Sequence, residues 1–191
     1  MKKILLTLVS LICFLPLVAQ EDVLTFKGIK LGTDKNTFRS EMIRENFEFH
    51  SEDAQERVMF FTGHFIGEQC NISVYYDINL RVHKVIALLP ETSSWPLISS
   101  QYYNIKAALA KKYGPPLSDV EYFKSPHKKG DGFEMYAIMR DRTEIRAIYN
   151  SESHPITIFI VNSRKGSAYI GIVYSYASLT KAHEDYIYDD L

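Results

Sequence analysis

The residues best suited to chemistry are His64, Cys70 and His83, spaced so that they fall on three successive predicted strands. An imidazole beside a thiol can hold it as a thiolate, the arrangement of a cysteine nucleophile. Strand alternation argues against that use. Cys70 shares parity with Ile72, Val74 and Tyr76, an apolar face, whereas His64 falls with Phe60 and Thr62 on the opposite one. A single buried cysteine is commonly a small hydrophobe. His64 with an acid partner is the remaining nucleus for a small hydrolase or transferase. His183, Glu184, Asp185, Asp189 and Asp190 offer oxygen ligands to a divalent cation. Neighbours in a terminal segment do not make a preorganised cage, so no metal site is assigned. The chain contains no dinucleotide fingerprint, Walker A loop, nucleophile elbow, H-E-x-x-H or C-x-x-C motif. No cofactor is expected, and the chain is read as a non-enzyme. Asn71-Ile72-Ser73 is formally a glycosylation sequon, but it sits inside a predicted strand and is read as chance.

Elements must place these residues, and the pattern repeats. Gly28-Ile29-Lys30-Leu31-Gly32 leads to Thr33 or Asp34 as helix cap, with Phe38 and Met42 on one helical face. Strands follow over 57–65, 68–76 and 80–89, closed by Pro90. The second pass opens on Ser94 as cap and Pro96 in the first turn. Ile98, Tyr102, Ile105, Leu109 and Tyr113 follow at helical spacing, ended by Gly114 and Pro115-Pro116. Strands are then predicted over 120–123, 133–140, 143–149, 156–161 and 168–176. A helix followed by antiparallel strands, twice, gives an α+β fold: one sheet with helices on one face. The half-repeats cover about 26–92 and 93–176, followed by a polar tail, 177–191.

The alternation sorts the second half into two faces. Phe133, Met135, Ala137, Ile145, Ala147, Ile156, Ile158, Ile160, Ile170 and Ile172 share one parity, suited to a face under helices. Glu134, Tyr136, Ile138, Glu144, Arg146, Thr157, Phe159 and Tyr169 take the other, and the first half contributes Phe60, Thr62, His64, Asn71, Ser73 and Tyr75. Aromatics mixed with paired charges are the composition of recognition surfaces, although Tyr and Phe also favour strands on their own account. Tyr136, Arg146, Phe159, Tyr169, His64 and Tyr75 are therefore the candidate binding residues.

The N-terminus reads as a secretory signal. Lys2 and Lys3 precede an uncharged apolar run from Ile4, Pro16 breaks it, and Ala19 precedes the polar Gln20-Glu21-Asp22. The run is shorter than the roughly 20 residues that span a bilayer. Ile12 before Cys13 is not the small residue of a lipoprotein cleavage site. Cleavage after Ala19 would leave 172 of 191 residues as a single domain, 20–191, that is periplasmic or secreted. Its 20 basic and 23 acidic residues, a formal charge of −3, argue against a nucleic-acid binder, which would show a basic stripe. Cys70 alone remains, so no internal disulfide forms and burial must stabilise the fold; 46% apolar and 13% aromatic residues over the full 191 make that feasible.

Two sets of residues carry a family resemblance. One is Gly28-Ile29-Lys30-Leu31-Gly32-Thr33 at the start of the first helix. The other is the stretch Phe61 to Cys70, then Ile72 to Tyr75, Trp95 and the helix ending Lys112-Tyr113-Gly114-Pro115. Together they resemble small secreted bacterial proteins whose layout is similar to the β-lactamase-inhibitor-protein-like superfamily, with its tandem helix-plus-four-strand repeats. The resemblance implies that fold and a binding-type role, and it maps no inhibitory residue onto this chain. The sequence thus points to an exported, non-catalytic protein that holds an envelope protein or peptide on an open sheet face. The alternatives are an enzyme around His64 and a small-ligand binder in the cleft between the halves.

Overall fold

The computed structural model describes residues 23–176. Its longest helix, Trp95–Tyr113, follows from its ends: the Ser94 hydroxyl accepts the Leu97 N–H, and Gly114, at φ 84°, donates to the Ala110 carbonyl. The shorter helix α1 (Lys35–Arg44) starts at Asp34, whose carboxylate accepts the N–H groups of Asn36 and Thr37 at 2.9 and 3.3 Å. A small ribbon of β1 (Thr25–Phe26) and β2 (Ile29–Lys30) precedes it.

The main sheet is antiparallel and eight-stranded. After α1 come β3 (Glu48–Asp53), β4 (Val58–Phe65), β5 (Glu68–Tyr76) and β6 (Val82–Leu88). After the long helix, α2, come β7 (Ser118–Phe123), a short helix α3 (Glu134–Met139), β8 (Thr143–Asn150), β9 (Pro155–Asn162) and β10 (Ala168–Ser175). The spatial order β3-β4-β5-β6-β10-β9-β8-β7 joins the two halves through their last strands. Each half is a four-strand meander preceded by a helix, and together they bury one core.

Register fixes which side is core. Phe61, Ile72, Ala87, Ile172, Ile158 and Ala147 lie in one continuous cross-strand row, and all are buried. Phe38 and Met42 of α1, Ile98, Tyr102, Ile105 and Leu109 of α2, and Ile138 of α3 join the same cluster. All three helices therefore pack into the core on one side of the sheet. Gly63 admits the ring of Phe47 into that core; a Cβ there would lie 2.4 Å from Phe47 Cδ1.

The structure corrects two assignments. Residues 133–140 are not a strand: Glu134–Met139 is helical, and the buried Glu134, Ala137 and Ile138 follow the i, i+3, i+4 spacing of a helix. Over six residues the two periods are hard to tell apart, and Glu, Met and Ala favour the helix. Glu134, Tyr136 and Ile138 therefore leave the open sheet face, and Phe133, Met135 and Ala137 leave the aliphatic one. Strand β3 was not expected, because Glu48-Phe49-His50-Ser51-Glu52-Asp53 has no apolar alternation; it is a polar edge strand, bulged between Phe49 and Ser51.

Candidate functional site

The face of the sheet turned away from the helices is the candidate site. One row across it runs Phe60, Ser73, Ile86, Val173, Thr157, Ile148, Ser118. The next runs Thr62, Asn71, Leu88, Gly171, Phe159, Arg146, Val120. Val161 and Tyr169 pair in the row beyond. The middle of this face is a half-buried apolar band of Ile86, Leu88, Val173, Phe159, Ile148 and Val161. Ser73, Asn71, Thr62, Lys84 and Glu144 surround it. Phe159 lies flat over Gly171, where a Cβ would come within 2.3 Å of Cζ. The glycine thus sets the ring into the face instead of above it.

Three of the sequence-predicted residues meet here. Arg146 stands opposite Phe159 and bonds the Glu144 carboxylate through Nε at 2.7 Å. Tyr169 lies two residues along β10 from Gly171, beside them. Tyr75 is on the same face in the other half, under the Lys84 ammonium at 4.5 Å. His64 is exposed opposite Gln69, six residues along β5 from Tyr75, or about 20 Å. Tyr136 is the exception, on α3, near the His127 ring and the Arg140 guanidinium.

The lack of alternation in β6 and β10, the central strands of the sheet, hides Ile86, Leu88 and Val173. Runs such as Val85-Ile86-Ala87-Leu88 are apolar at every position and read as buried on both sides. The signal available was their place at the middle of the sheet, which the pairing of β6 with β10 creates.

The catalytic alternatives find little geometry. Cys70 is buried, its thiol donating weakly to the carbonyls of Phe65 and Glu68 at 3.6 Å, and burial pushes its pKa up to about 11. It carries little thiolate at neutral pH. His83 lies at the opposite end of the strands from Cys70, since Ile72 pairs with Ala87 and Val74 with Val85. His64 bonds no carboxylate among the described residues. No group of three or more His, Cys, Asp or Glu among the described residues is placed to hold a metal. The tail around His183 lies outside them, as does the N-terminal segment expected to be a signal. No helix among the described residues is long and apolar enough to cross a membrane. The cleft between the halves, between the β4–β5 turn and α2, is about 220 Å³ and is lined by Ile66, Leu89, Gln101 and Ile105.

The most polar clusters are structural ties from helix and loop to the edge strands. In the first half the Lys35 ammonium and the Tyr76 hydroxyl both bond Glu52 of β3, the latter at 2.5 Å. These bonds, Lys35 first, hold the Glu52 carboxyl below its usual range, while burial raises Tyr76. In the second half the Tyr103 hydroxyl and Lys129 bond Glu121 of β7 at 2.6 and 2.8 Å, and Glu121 raises the Lys129 pKa. A carboxylate at the matching edge position anchors each repeat.

No protein-family model, curated protein or solved structure matches the chain.

Proposed function

We propose that this is an exported, non-catalytic binding protein that holds an envelope protein or peptide on the open face of its sheet. The observation that carries the reading is the apolar band of Ile86, Leu88, Val173, Phe159, Ile148 and Val161 on the side away from the helices. A sheet face meant only for water is dominated by Thr, Lys and Glu. This one has an apolar centre with a polar rim, the anatomy of a protein interface. Arg146 and Glu144 supply charges that fix register, and Tyr169 and Tyr75 supply aromatic contact area. The N-terminal pattern from Lys2 to Ala19 supports export.

The test places a photo-crosslinking amino acid at position 148 in cells, identifies the captured protein by mass spectrometry, and measures its affinity in purified form. Ile86→Thr with Ile148→Thr keeps strand preference but removes apolar area from the band. The pair should weaken affinity more than tenfold, about 1.4 kcal/mol, with little change in melting temperature. An unchanged affinity refutes the open face as the binding surface.

A further inference from the structure

The two edges of the sheet are finished differently. Strand β3 is polar and bulged between Phe49 and Ser51, features that guard an edge against pairing. Strand β7, Ser118-Asp119-Val120-Glu121-Tyr122-Phe123, pairs with β8 over all six residues without a register shift and contains neither lysine nor proline. The pairing fixes which backbone groups are spare. The Lys124 N–H bonds the Arg142 carbonyl at 2.8 Å, and hydrogen-bonded pairs recur at every second residue of an antiparallel ladder. Tyr122, Val120 and Ser118 therefore turn their backbone groups to β8. Asp119, Glu121 and Phe123 turn theirs outward, where no strand among the described residues pairs with them.

The same three residues are held by their side chains from the helix side. The Asp119 carboxylate accepts from the Lys106 ammonium of α2 at 2.6 Å. Glu121 accepts from the Tyr103 hydroxyl of α2 at 2.6 Å and from Lys129 at 2.8 Å. The Phe123 ring meets Trp95 of α2 edge-on, with centroids 6.2 Å apart. Each residue that offers a spare N–H and C=O is thus anchored, and the row is preorganised for pairing. On the other face Tyr122 is 56% exposed beside the half-buried Val120, and Leu117, 57% exposed, leads into the strand. In strand addition the main-chain bonds give affinity, and side chains at alternate positions give specificity.

The complement of a row of outward N–H and C=O groups is another extended backbone. A second copy of β7 is a poor occupant. In its two fullest antiparallel registers Glu121 meets Glu121, or Asp119 meets Glu121, and like charges directly opposite each other are destabilising. We infer, independently of the apolar band, that β7 accepts an extended segment of a partner protein as an added antiparallel strand at the end of the eight-stranded sheet. Residues of the segment without negative charge lie opposite Asp119, Glu121 and Phe123 on the helix side. Its apolar residues lie opposite Val120 and Tyr122 on the open face.

The experiment uses the full chain and an acetylated, amidated probe peptide, Lys-Val-Thr-Val-Thr-Val-Lys, with amide exchange read by NMR. Strand addition predicts that saturating peptide slows exchange of the outward amides of Asp119, Glu121 and Phe123 by about tenfold or more. The amides of Val120 and Tyr122, already bonded to β8, should change little. N-methylation of both threonines should weaken affinity by about tenfold or more, because their N–H groups face β7. N-methylation of the valines should not, since theirs face away. The Ile86→Thr, Ile148→Thr variant should bind the peptide as the natural chain does. No binding, or binding that leaves the three amides unprotected, overturns the proposal. So does equal weakening by the two methylation patterns. Loss of binding in the Ile86→Thr, Ile148→Thr variant overturns it by moving the peptide to the apolar band. Protection of the same three amides in the peptide-free chain as its concentration rises overturns the foreign strand in favour of a second copy.

Discussion

The same substitution at two glycines should have unequal consequences, because each glycine admits a phenyl ring on a different side of the sheet. Neither Gly63 nor Gly171 has positive φ, so alanine fits both backbones without strain. At Gly63 the new Cβ would meet the Phe47 ring at 2.4 Å to Cδ1 and 3.0 Å to Cγ. Phe47 is 2% exposed and held in the core, so neither ring nor strand can yield cheaply. At Gly171 the new Cβ would meet Phe159, nearest at Cζ, the free end of a half-buried ring that can swing toward water. Overpacking a core costs roughly 1–3 kcal/mol. Replacing glycine at a compatible site returns about 0.4–1 kcal/mol through the unfolded chain. Gly63→Ala should therefore lose a net 1–2 kcal/mol, or about 2–8 °C in melting temperature for a domain of this size. Gly171→Ala should stay within about 0.5 kcal/mol of the natural protein. Urea unfolding of both variants, followed by far-ultraviolet circular dichroism, gives the comparison directly. If Gly171→Ala destabilises as much as Gly63→Ala, Phe159 is locked under further structure, and the face described as open is a second core.

Three shorter tests probe other parts of the fold. Thiol reagents should label Cys70 of the native protein orders of magnitude more slowly than the unfolded chain, and Cys70→Ala should cost about 1 kcal/mol, as for a small core deletion; rapid native labelling contradicts its burial. Glu52→Gln should cost up to about 1 kcal/mol at pH 7, since the ion pair with Lys35 is partly exposed. The Glu52 carboxyl is depressed in the folded state, so its contribution is complete above the ordinary value of 4.5 and fades as pH falls through the lower folded value. Unfolding curves of the two proteins should therefore converge in acid, and a gap that widens there contradicts the assigned bonds. Intact-mass analysis of the protein from envelope fractions should show a chain about 19 residues shorter, by the signal-peptide pattern, and a product that keeps Lys2 and Lys3 refutes export.

What the sequence made legible follows from where side chains alternate and where they do not. Helix α2 was readable to the residue because Ser94, Pro96 and Gly114 each do one job at a helix end. Strands β4, β5, β8 and β9 alternate clearly, since each has one face in the core and one outside it. Strand β3 gave no such signal, because an edge strand protects itself with charge and buries little. Helix α3 misled because six residues with apolar groups at alternate positions satisfy a strand, while Glu134, Ala137 and Ile138 satisfy a helix. That one misreading mattered for the site. It drew Tyr136 onto the sheet face and so merged two surfaces that the fold keeps apart.

Separating the two surfaces changes the argument for binding. Without Tyr136, the open face no longer rests mainly on aromatic content, which strand propensity explains equally well. It rests on aliphatic side chains at the junction of the halves, Ile86 and Leu88 on β6 with Val173 on β10, where a face exposed only to water has no use for them. The junction exists only because the last strands of both halves pair, so the apolar band belongs to the assembled sheet and to neither half by itself. Tyr136 and Phe133 instead line a cleft built from one loop and one helical turn, and they can be substituted without touching the sheet. The two surfaces are therefore separable by experiment. Loss of partner binding on changing Ile86 and Ile148, with Phe133 and Tyr136 left in place, assigns recognition to the band. The reverse pattern assigns it to the cleft.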